Sequence, residues 1–121
     1  MSLESCYSAM EGDYQTVYAR LSKNERIIKK FVLKFLEDGS YDLLVRSLEE
    51  KNYREAFRAA HTMKGICQNL SFTKLYNSVN ELAETLRPED ADVQKAGEQF
   101  LDVERDYKQT VEAIRTLQAE G

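Results

Sequence analysis

The chain has a single histidine, His61, in the run Ala60-His61-Thr62-Met63-Lys64-Gly65-Ile66-Cys67-Gln68-Asn69-Leu70. An imidazole can attack through one ring nitrogen while the other is held by a hydrogen bond. Lys64 places a cation where negative charge would develop. Gln68 has the groups to hydrogen-bond a ring nitrogen or an oxyanion. Gly65 is costly in a helix interior, by about 1 kcal/mol relative to alanine. A bare position beside the histidine suits the close approach of a partner's backbone or of a bulky group. These residue types at this spacing point to a histidine that carries a phosphoryl group.

Such a histidine needs a helix with one buried face. At about 100° per residue, the apolar stripe of residues 53–70 runs through Ala56, Ala60, Met63, Cys67 and Leu70. His61 projects away from its centre, with Gly65 and Gln68 on the same outward face and Lys64 on its flank. Arg58 also faces outward and reads as a docking charge. Phe57 lies at the edge of the stripe, where it serves as core rim, as partner contact or as both. Asn69 points away from the stripe and is expected to shape the helix end.

The neighbouring segments supply helices to pack against. Residues 1–12 read as loosely ordered. Asp13 caps a short helix over 14–21, and Asn24 caps a longer one with Ile27, Ile28, Phe31, Val32, Phe35 and Leu36 inward. Asp38-Gly39-Ser40 interrupts it, and the pattern resumes to Lys51, so 24–51 is one bent helix or two nearly collinear ones. Asn52 caps the histidine helix and Ser71 caps the next, which ends at Arg87-Pro88-Glu89-Asp90. A last helix covers about 91–117, with Val93, Ala96, Phe100, Val103, Tyr107, Val111, Ile114 and Leu117 inward. Short connections favour antiparallel neighbours. The expectation is an all-α domain over 13–118, an antiparallel up-down four-helix bundle with a short additional N-terminal helix.

Composition removes several function classes. The chain has 121 residues and a net charge of −4, which gives nucleic-acid binding no electrostatic support. No apolar run approaches the roughly 18 residues of a membrane span, and the N-terminus has no signal-peptide pattern, so a cytoplasmic location is expected. Cys67 lies on the buried stripe and Cys6 in the N-terminal segment; with one histidine they give no zinc-ligand spacing, and they read as two free thiols. No glycine-rich nucleotide loop is present.

The run AHTMKGICQNL resembles the signature of histidine phosphotransfer (Hpt) domains, the carrier modules of multistep two-component phosphorelays. The family pattern is roughly Ala-His-x-Leu-Lys-Gly, a small or polar residue, then Asn-Leu-Gly. The chain agrees at Ala60, His61, Lys64, Gly65, Asn69 and Leu70. It departs at Met63, for leucine, and at Ser71, where the family usually has glycine. The second departure bears on the shape of the following turn. The order of helices extends the resemblance over about 13–117.

The resemblance implies that His61 takes the phosphoryl group on Nε2 and exchanges it with an aspartate of a response-regulator receiver domain. Lys64 would help neutralise the group, and Gln68 would orient the imidazole or contact phosphoryl oxygens. Phe57, Arg58 and Gly65 would meet the partner. The chain would need no cofactor of its own, because Mg²⁺ would sit in the receiver. The expected partners are a receiver domain, a hybrid histidine kinase or both, and the expected state is a monomer. Two alternatives stand beside a stand-alone carrier: an Hpt-like adaptor that binds a receiver without phosphorylation, and an Hpt segment of a larger hybrid kinase.

Overall fold

The computed structural model describes residues 1–120. It contains seven α-helices: α1 (Leu3–Ala9), α2 (Tyr14–Arg20), α3 (Glu25–Lys34), α4 (Ser40–Glu49), α5 (Tyr53–Leu70), α6 (Thr73–Leu86) and α7 (Val93–Glu120). A single 3₁₀ turn, Phe35–Glu37, leads out of α3. No strand occurs among the described residues. Helices α4 to α7 pack pairwise antiparallel as a four-helix bundle, with α5 between α4 and α6. The bundle closes where Tyr41 of α4 stacks face to face on Tyr107 of α7, ring centroids 3.7 Å apart.

The helix starts are set by side-chain caps, which satisfy amide groups that the first turn leaves unpaired. The Asp13 carboxylate accepts from Thr16 N–H at 3.0 Å, and the Asn52 side chain accepts from Glu55 N–H at 3.2 Å. Asn24 caps α3 in the same way. Residues 24–51 resolve into two helices, with Asp38 accepting from the Ser40 amide at the junction. The stripe of α5 is buried as expected at Ala56, Ala60, Met63, Cys67 and Leu70.

Three local expectations are corrected. The N-terminal segment is not loose: Leu3, Cys6, Tyr7 and Met10 are buried, and α1 packs along α7. Ser71 does not cap α6. It ends α5 in the left-handed region, φ 57°, so that the Phe72 amide can return to the Cys67 carbonyl at 2.9 Å. Ile27, Phe31 and Val93 stand at the surface. In α3 the apolar face is wider than the surface that covers it. Only Ile28 and Val32 of that helix are fully buried, with Leu33 partly covered beside them.

The N-terminal segment has a definite task. It ties down the end of α5. The Tyr7 hydroxyl donates to the Leu70 carbonyl at 2.8 Å in a buried setting. Arg20 donates to the carbonyls of Gln68 and Asn69, the latter at 2.8 Å. The Asp13 amide donates to the Ser71 carbonyl at 2.8 Å. The terminal carbonyls that a helix leaves unpaired are thus met from a different part of the chain.

Gly12 makes this join possible. A Cβ there would lie 2.8 Å from the Ser71 carbonyl oxygen and 2.8 Å from Cδ2 of Tyr7. Neither neighbour has room to retreat, since both are held by hydrogen bonds to the joined segments. Gly12→Ala is therefore expected to destabilise the fold by about 1–3 kcal/mol in urea denaturation, the usual range for overpacking. Ser71→Gly should act in the opposite sense. It relieves a left-handed serine, and its gain is limited to about 1 kcal/mol by the added freedom of the unfolded chain.

Candidate functional site

His61 sits near the middle of α5 and is exposed. Burial of Ala60 and Met63 on either side fixes the rotation of the helix, and so fixes the direction in which the imidazole points. Gln68 is exposed on the same face, while Lys64 and Gly65 are partly covered. A Cβ added at Gly65 would meet no atom within 4 Å. The glycine is thus not a packing contact, and the space over it is open.

Other expected residues divide between the two flanks. Phe57 is partly buried, and its ring stacks beside that of His61, centroids 5.8 Å apart and planes 29° from parallel. Arg58 is exposed and paired with Glu55 of its own helix at 2.7 Å. The outward face therefore joins His61, Gly65 and Gln68, with Lys64 and Phe57 toward α6. Arg58 stands apart, engaged in a local ion pair.

Two residues that sequence reasoning did not reach come from α6 and its end. The Arg87 guanidinium lies over the Phe57 ring, its carbon 5.1 Å from the centroid, on a cation–π contact. Arg87 also donates to both carboxylate oxygens of Glu84, at 2.9 and 3.3 Å. These hydrogen bonds and the Arg87 charge hold the Glu84 carboxyl below the usual carboxylate range, with further pulls from Lys64 and His61. In the sequence Arg87 belongs to a helix-stop cluster; only the packing of α6 on α5 brings it beside the histidine. Spacing along the chain carries no sign of this.

The opposite flank is largely apolar. An open cavity of about 650 Å³ lies between α3 and the end of α5, lined in part by Phe31, Phe35, Ile66 and Leu70, with Arg20, Lys34, Glu37 and Asp38 as its charged lining groups. Ile27 and Phe31 of α3 are 40% and 42% exposed. Residues 20–34 carry six cations and one acid in a chain of net charge −4. The histidine face is thus bordered by an apolar cavity and the cation-rich segment 20–34 on one side and by the Glu84–Arg87 pair on the other.

The two thiols take no part. Cys6 and Cys67 are free and buried, and burial pushes the Cys6 thiol up to about 11. No group of three or more metal-ligating side chains lies together among the described residues. No helix there is long and apolar enough to cross a membrane.

With this geometry in view, the comparison with known families is decisive. The sequence profile of the Hpt domain matches residues 32–118. The chain belongs to the Hpt domain family. No curated protein and no solved structure matches the chain. Hpt domains are histidine phosphotransfer modules of phosphorelays and interact with receiver domains. The match begins within α3, so α1 and α2, which hold the end of the histidine helix, lie outside the matched part of this Hpt protein.

The open space at Gly65 leads to a direct expectation. Gly65→Ala adds a methyl group without a clash and removes the helix cost of glycine. It should stabilise the protein by up to about 1 kcal/mol, read as a shift of the urea midpoint at unchanged slope.

Proposed function

We propose that this Hpt domain is an active phosphoryl carrier, with His61 as the residue that accepts and donates the group. The observation that carries the reading is the exposed imidazole on the one face of α5 that makes no core contact, with open space over Gly65 next to it. Nε2 attacks the phosphorus of a receiver's aspartyl phosphate. The P–N bond forms as the P–O bond breaks, and its electron pair returns to the aspartate carboxylate. Nδ1 keeps its hydrogen, so the ring becomes cationic as the phosphoryl group arrives. Positioning and electrostatics supply most of the catalysis in such transfers. Lys64 offsets charge on the phosphoryl oxygens, and Gln68 orients the ring or hydrogen-bonds those oxygens. The receiver brings the Mg²⁺ and the acidic pocket that holds it.

The receiver seats on the α3 side. Ile27 and Phe31 offer exposed apolar area continuous with the cavity beside Ile66 and Asn69. The cations of residues 20–34 attract an acidic partner and raise its encounter rate in a salt-dependent way. A modest interface suits a carrier that exchanges partners.

Incubation with a radiolabelled phosphorylated receiver domain and Mg²⁺ should place an acid-labile, base-stable label on the wild type and none on His61→Gln. Label that survives in that variant would place the carrier elsewhere. Gly65→Gln should fold and yet block transfer sterically; a wild-type rate would move the partner off this face. Phe31→Ala should leave the melting temperature nearly unchanged and raise the KM for the receiver by about tenfold, the effect of removing a moderate interface anchor. An unchanged KM would take α3 out of the interface.

A further inference from the structure

Glu84 presents a physical puzzle. A site meant to hold a phosphoryl dianion is improved by cations and weakened by nearby carboxylates. Here an exposed carboxylate stands on α6 next to the histidine face. It occupies Arg87 through two hydrogen bonds, at 2.9 and 3.3 Å. Arg87 in turn rests on the ring of Phe57, whose other neighbour is the ring of His61 at 5.8 Å. Helix α6 thus contributes an acid and a base to the flank where α5 contributes His61 and Lys64.

We propose that Glu84 sets the transfer potential of His61: its fixed negative charge competes with the phosphoryl group for Arg87 and Lys64, and so keeps the phosphorylated histidine ready to give the group up. The inference rests on the carrier reading. Two cations with no counter-charge would favour the bound phosphoryl group and hinder its departure. Glu84 opposes this in two ways. It engages Arg87 in the unphosphorylated protein, and it repels the dianion directly. The contacts run in sequence from Glu84 to Arg87, from Arg87 to the Phe57 ring and from that ring to His61. The lowering of the Glu84 carboxyl, chiefly by Arg87 and to a lesser degree by Lys64 and His61, accords with that arrangement. No bond is made or broken by Glu84. The group moves between the receiver aspartate and Nε2 as before, and only the free energy of the phosphohistidine changes.

The test is the equilibrium ratio of labelled carrier to labelled receiver, taken from both directions of transfer. Glu84 is exposed and paired only within its own turn, so Glu84→Gln should fold like the wild type, which a melting curve establishes. Exposed charge pairs change equilibria by severalfold at most. Glu84→Gln should therefore shift the ratio toward phosphorylated His61 by about threefold. Glu84→Asp keeps the charge and should stay near the wild-type ratio. The shift should shrink in about 1 M salt, where charges are screened within about 3 Å. A wild-type ratio in Glu84→Gln, with His61 labelled in both proteins, would overturn the role of Glu84 and leave the carrier reading standing. An aspartate variant that behaves like the glutamine variant would also overturn it. Absence of label on wild-type His61 would overturn the carrier reading itself, and this inference with it.

Discussion

Everything at the site depends on the rotational setting of one helix. Burial of Ala56, Ala60, Met63, Cys67 and Leu70 between α4 and α6 leaves α5 only one way to lie. Apolar burial is worth about 25 cal/mol per Å², so turning this helix by even one residue would forfeit several buried side chains. The functional face has no such anchor of its own. Its direction is inherited from the opposite side of the helix, where no chemistry takes place.

The ends of α5 receive the same treatment by other means. Asn52 holds its beginning, and Tyr7 and Arg20 hold its last carbonyls. Local capping uses a neighbour in sequence, whereas the C-terminal arrangement recruits α1 and α2 from far up the chain. This explains why a seven-residue helix persists at α1. Isolated helices of that length are unstable in water. Its stability comes from Leu3, Cys6, Tyr7 and Met10 buried against the bundle.

Much of this was legible in the sequence, for identifiable reasons. The period of the apolar residues in α5 placed His61 outward, and Asp13, Asn24 and Asn52 marked their helix starts through chemistry that acts within one turn. Residues 1–12 read as loosely ordered, although Leu3, Cys6, Tyr7 and Met10 stand at a helical spacing, because a segment this short is held by the surface it packs on and not by its own sequence. Ile27 and Phe31 fit the buried pattern of α3 and yet stand at the surface, because periodicity gives the direction of a face and not whether anything covers it. Arg20, Glu84 and Arg87 were out of reach as parts of the site. The i, i+3 spacing of Glu84 and Arg87 allows their ion pair, but the contact of Arg87 with Phe57 and that of Arg20 with the end of α5 join different helices, and no local rule encodes that.

The meeting of α1 with the last turn of α7 has a topological consequence. The amino group of Met1 pairs with the carboxylate of Glu120, and α1 runs beside α7. The described helices thus come close to forming a closed loop, and the order in which they are written is partly a convention. A short linker from the last turn of α7 to the start of α1 would complete the circuit, and the exposed segment at Arg87–Asp90 offers a place to open it. A permuted chain cut there would begin with the long helix α7 and would still contain every contact that orients His61. Helices that meet side by side at the surface are what allow such rearrangement. For this bundle, connectivity is more negotiable than packing.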